Sequence, residues 1–186
     1  DETTIVSAAI ARNGNHLKIY ILPHPISGHI GFPETVRQIE QLNLELRKQW
    51  SPKIRIITLV ERVQYQGALI QQLNENGKVI VEGMTVTSDK RARLISCSNY
   101  IQQGVVLFPN HGAEKLITQI LGFGAERYDD LMDAFTLIVR KIIEDSGKPI
   151  NGFHDMIQSE VKLIQERAFV PPQQSFTAMA FRAIRN

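Results

Sequence analysis

Residues 53–60, KIRIITLV, form a short and nearly continuous apolar run. A strand with one wet face alternates apolar with polar residues. A run without alternation belongs in the middle of a sheet that is covered on both sides. That requirement governs the rest of the chain, because helices must then lie on each face. Upstream, residues 3–11 (TTIVSAAIA) and 16–22 (HLKIYIL) are β-rich and separated by RNGN, whose Asn13-Gly14 pair signals a hairpin. Residues 32–50 carry Val36, Ile39, Leu42, Leu44 and Leu46 behind Pro33, an amphipathic helix. Further helices are expected over residues 64–77, closed by Gly77, over 89–104, stopped by Gly104, and over 112–124 and 129–145. Short strands are expected at 78–84 and 105–108. A hairpin followed by alternating helix and strand gives an α/β domain, a mixed β-sheet flanked by helices on both faces.

The pattern changes after residue 145. SGKPINGFHD reads as a linker, MIQSEVKLIQERAF (156–169) as one amphipathic helix, and VPPQQSF as an extended turn. The organisation expected is therefore a domain over residues 1–145 with an appended segment, 146–186, that could pack on the sheet or meet a partner. A chain of 186 residues, 43% hydrophobic and 22% charged, suits that size. The net charge of +2 gives no global pull on a polyanion, so nucleic-acid binding would need a local basic patch. The single cysteine, Cys97, excludes an intramolecular disulfide and fits a reducing compartment; its apolar surroundings mark an inert thiol. No apolar run approaches the ~20 residues that span a bilayer. The stretch DETTIVSAAIARNG lacks the basic start of a secretory signal, so a soluble intracellular protein without a membrane partner is expected.

Chemistry concentrates in three places. In AERYDDLMDAF, Asp129, Asp130 and Asp133 put three carboxylates into five positions at the head of an apolar helix. Like charges three or four residues apart on an exposed helix cost about 0.2–0.5 kcal/mol per pair. Two readings account for them: they cap the helix and complement its dipole, or a divalent cation such as Mg²⁺ or Mn²⁺ turns repulsion into attraction. Leu131, Ala134, Phe135, Ile138 and Ile142 fix the core-facing side, which places the acids at the rim. The second place is Glu61, directly after the buried run, where open α/β sheets present their ligand groups. A strand-end Glu and a helix-head Asp cluster are the parts of a carboxylate-held metal site, which in phosphodiester cleavage commonly holds two ions ~4 Å apart. The third is SDKRAR, where Lys90, Arg91 and Arg93 cluster at a helix start. They are either a solvated basic face or contacts that neutralise phosphates without reading sequence. His24, His29 and His111 sit in loop-like contexts without companion ligands. SGKP lacks the glycine spacing of a phosphate loop.

The order of these features resembles the large terminase subunit of tailed bacteriophages, specifically its C-terminal nuclease domain with the ribonuclease H-like fold. The stretches that carry the resemblance are DETTIVSAAIA, VERVQYQGALIQQL, SDKRARLISCSNYIQQGVVLFP and GAEKLITQILGFGAERYDDLMDAFTLI, together spanning residues 1 to about 145. The resemblance implies a Mg²⁺- or Mn²⁺-dependent two-metal endonuclease that cuts concatemeric double-stranded viral DNA in the bacterial host cytoplasm. It implies Glu61 as the strand-end ligand and Asp130 as the helix ligand. Asp129 or Asp133 would assist, and Lys90, Arg91 and Arg93 would lie along the DNA path. The partners it implies in the full assembly are a portal protein and a small terminase subunit, with the isolated domain a monomer. The family's first catalytic Asp stands on an opening strand, whereas the two opening strands here match the second and third. The first metal ligand is therefore either upstream of Asp1 or replaced by Asp1. Two other readings remain: a non-catalytic module that docks DNA or a portal-like partner, and another nuclease of the same fold, such as a junction resolvase.

Overall fold

The computed structural model describes residues 3–13, 16–50, 54–62, 67–125, 128–146 and 179–185. The N-terminal hairpin pairs β1 (Thr3–Asn13) with β2 (His16–Ile21) antiparallel, with Asn13 opposite His16. A short β3 (Ile26–Gly28) pairs with the start of β1. Helix α1 (Phe32–Gln49) follows, entered through Gly31 and Pro33, the proline sitting in the first turn where its missing N–H costs nothing. Then come β4 (Arg55–Glu61), α2 (Gly67–Asn76), β5 (Ile80–Met84), α3 (Lys90–Gln102), β6 (Val106–Leu107), α4 (Glu114–Leu121) and α5 (Asp130–Ser146). The last strand, β7, is Met179–Arg185.

The sheet runs β5-β4-β7-β1-β2-β6, with β3 alongside β1. β5, β4 and β7 are mutually parallel, β1 is antiparallel to β7, β2 and β3, and β6 runs parallel to β2. The sheet is mixed, as expected, and Ile56–Val60 of β4 are buried throughout. Alternation along the strands divides the core into two layers. Val6, Ala8 and Ile10 of β1 and Ile57 and Leu59 of β4 pack against α3, α4 and α5. Ile5 and Val60 face the other way, onto Val36 and Ile39 of α1 and Leu69 and Leu73 of α2. Residues 179–185, grouped by the sequence pattern with the appended segment, thus supply the strand between β1 and β4. The expected linker and helix, with the turn after them, lie outside the described residues. No helix among the described residues is long and apolar enough to cross a membrane.

α5 is the central helix of its layer. Every residue from Leu131 to Val139 is buried, so the helix has no wet side over about two and a half turns. The expectation that its acids sit at a rim therefore fails for Asp133, which is 4% exposed. α3 packs across that flank and closes it.

Candidate functional site

The carboxyl ends of parallel strands β4, β5 and β7 point to one edge of the sheet. This is the edge where open α/β sheets form their ligand crevices. Glu61 ends β4, in register with Met84 of β5, and the amide of Arg62 continues the ladder to the Met84 carbonyl at 2.8 Å. Past β5 the chain turns through Ser88 into α3. The Asp89 side chain caps that helix by accepting from the Ala92 amide at 3.2 Å. The head of α5 is tied to the same edge by the Thr4 hydroxyl, which donates to the Asp130 carbonyl at 3.1 Å.

The question raised by the three aspartates has an answer in this geometry. The amides of Leu131 and Met132, in the first turn of α5, both donate to Oε1 of the buried Gln119 of α4, at 2.9 and 3.2 Å. Asp129 and Asp133 turn instead toward two cations of α3. Lys90 Nζ lies 2.8 Å from Asp129 Oδ2 and 2.9 Å from Asp133 Oδ2. Arg93 Nη2 lies 2.6 Å from Asp133 Oδ1. Arg93 also donates through Nη1 to the Ser88 carbonyl at 2.5 Å and through Nε to Thr136 Oγ1 at 3.4 Å. Burial pulls its guanidinium below the ordinary value, and the charge of Glu61 is the strongest influence opposing that. The strand-end acid and the helix-head acid therefore act on one guanidinium.

Two of the three basic residues expected on a DNA path thus face the site's own carboxylates. Arg91 is exposed, one position round the helix. Arg140 extends the charged line along α5, bonding Ser88 Oγ at 2.9 Å and Glu144 at 3.0 Å. Asp1 lies outside the described residues. β7, whose end falls between Thr4 of β1 and the end of β4, has the sequence MAFRAIR and carries no acid. Carboxylates are the right donors for Mg²⁺ or Mn²⁺. As arranged, however, they do not fit an ion: Asp129 and Asp133 share Lys90, and Arg93 holds the other oxygen of Asp133. Among the described residues no three of His, Cys, Asp or Glu form a group able to hold a metal.

Gln119 is a contributor that the motif reading passes over. Its one trace in sequence is a polar residue three positions after Leu116, on the stripe that α4 buries. Cys97 is 1% exposed, and burial pushes its thiol up to about 12, in keeping with an inert core residue. His24 adopts φ 61°, and its amide donates to the Gly112 carbonyl at 2.7 Å, a loop contact far along the chain from the acids. Comparison with family models, with curated proteins and with solved structures gives no match for this chain.

Proposed function

We propose that this chain is the ribonuclease H-like nuclease domain of a terminase-type DNA-packaging enzyme, a cation-dependent endonuclease acting on double-stranded concatemeric DNA. The observation that carries the reading is the buried Arg93–Asp133 pair at the carboxyl edge of parallel strands β4, β5 and β7, where the charge of Glu61, at the end of β4, also acts on the Arg93 guanidinium. A mixed sheet with helices on both faces agrees with that fold, though fold alone assigns no activity. Glu61 and Asp130 are the cation ligands in this proposal, with Asp129 and Asp133 beside them and Arg91 on the approach of the phosphate backbone. Since β7 bears no carboxylate, the remaining ligand comes from elsewhere, Asp1 or a residue before it. In an assembled packaging motor the domain would work beside a portal protein and a small terminase subunit.

Plasmid nicking in Mn²⁺ tests the proposal. Glu61→Ala and Asp130→Ala each abolish cutting while far-UV circular dichroism stays that of the parent. Asp130→Ala protein that nicks at the parent rate refutes the assignment.

The pairing of Asp129 and Asp133 with Lys90 and Arg93 favours a second reading, a non-catalytic module that docks DNA or a portal-like partner and uses its acids only to join α3 to α5. Melting temperature separates the two. A cation that binds the folded chain raises it with occupancy, whereas the docking module melts at one temperature with or without Mn²⁺.

A further inference from the structure

We infer that the cavity under the second half of α1 is a binding site for a small organic cation, an ammonium group carried on a flat apolar body. The cavity lies on the opposite face of the sheet from Arg93 and Asp133, so the inference stands apart from the nuclease reading.

Its volume is about 360 Å³, within the range of pockets that take small ligands. Alternation along β1 turns Ile5 to the side that α1 covers, and Leu46 of α1 faces it. Both are buried, which makes the floor apolar. Trp50, just past the end of α1, adds a half-buried indole, and the exposed Glu45 stands at the rim. Among the described residues that line the space, Glu45 is the one acid, and there is no Lys or Arg. Its Oε1 accepts from the neutral Gln41 amide at 2.7 Å, which leaves the charge without an opposite one. An anion entering there would meet that carboxylate, and a neutral apolar guest would cover it without offering a partner. An ammonium gains from the Glu45 carboxylate and from the Trp50 indole, the ring that attracts cations most strongly. Its apolar body covers Ile5 and Leu46.

His24, which also lines the cavity, supplies a second observation. Among the described residues it is the one non-glycine at positive φ, 61°. Such strain persists where the surroundings enforce it, and it gathers at ligand clamps. The enforcement comes from Gly112, whose carbonyl accepts from the His24 amide at 2.7 Å. The His24 ring packs so closely there that a Cβ on Gly112 would fall 2.9 Å from Cε1. Lys115 Nζ donates to Ser27 Oγ at 2.9 Å and ties β3 to α4 alongside. The wall that His24 forms is thus in place before a guest arrives, and no loop has to be ordered on binding.

Trp50 is the only tryptophan in the chain, so its fluorescence reports on the cavity directly. The probes are phenethylammonium, its neutral isostere phenethyl alcohol and the anion phenylacetate. Each is titrated into wild type and Glu45→Gln, followed by Trp50 fluorescence and by calorimetry. Phenethylammonium is expected to shift Trp50 emission saturably and to bind tighter than the alcohol, with phenylacetate the weakest. Glu45→Gln alters an exposed side chain that can still accept from Gln41. It should weaken the ammonium about three- to five-fold and leave the alcohol unmoved. An ammonium that binds no tighter than the alcohol, or equally well to Glu45→Gln, overturns the choice of a cation. Calorimetric binding without any change at Trp50 overturns the place, and no binding of the ammonium by either method overturns both.

Discussion

Replacing Arg93 with methionine removes half of a buried ion pair and leaves the other half behind. The two side chains are 7% and 3% exposed and meet at 2.6 Å, so solvent screens them little. Removing one partner of such a pair costs about 3–5 kcal/mol, most of it from the charge left in the interior. The surroundings place the two single variants at different ends of that range. After Arg93→Met, Asp133 keeps Lys90 at 2.9 Å, which puts the loss near 3 kcal/mol. After Asp133→Leu, the guanidinium loses its one ion-pair contact and keeps the Ser88 carbonyl, the 3.4 Å contact to Thr136 and the through-space charge of Glu61, which puts the loss nearer 5 kcal/mol. The double variant, Arg93→Met with Asp133→Leu, buries two apolar groups instead of two charges and recovers at least ~2 kcal/mol relative to the sum of the singles. Urea unfolding followed by circular dichroism gives each value by linear extrapolation. In a heat scan the Arg93→Met loss corresponds to roughly 6–12 °C for a chain of this size. An Arg93→Met protein that loses under ~1 kcal/mol, or a double variant whose loss equals the two singles added, refutes the idea that this pair joins α3 to α5.

Phe135 is fully buried and its ring lies 5.7 Å from that of Phe108, so Phe135→Ala should cost about 3–5 kcal/mol by urea unfolding. Cys97, buried and with its thiol raised to about 12, should react with an aromatic disulfide reagent only as fast as the protein unfolds; rapid labelling of the native chain would contradict its placement. The Glu40 carboxyl is held below its ordinary 4.5 chiefly by the hydrogen bond from Lys78, aided by Asn76. A depressed folded value stabilises above 4.5 and is lost as pH falls through the folded value. Glu40→Gln should flatten the acid limb of the stability curve below pH 4.5, with an effect under ~1 kcal/mol because Lys78 is exposed.

What could be read from the sequence follows the range of the interactions concerned. β4 announced itself because burial on both faces leaves no polar residue between Ile56 and Val60 except Thr58. α1 and α5 were visible through their helical stripes, and the β1–β2 pair through Asn13-Gly14, all local signals. β7 left no comparable mark. MAFRAIR is short and carries two arginines, and its partners β1 and β4 lie far back in the chain. The two charge clusters were each visible, yet nothing local pairs Lys90 with Asp129 across 39 positions. Asp133 looked like a rim residue because a helical wheel shows one core-facing side, while α3 supplies a second wall. Gln119 reaches α5 only after α4 has packed, so its role belongs to tertiary structure.

The place of β7 also bears on how the chain matures. β1 and β4 leave the ribosome long before Met179 does, and neither is a ladder partner of the other. Until the last strand arrives, the nascent sheet is two separate ribbons, each with an open inner border ready to recruit stray strands. Closure is then a single late insertion that zips both borders at once, so nascent chains held short of it are the species most exposed to clumping and most in need of a chaperone.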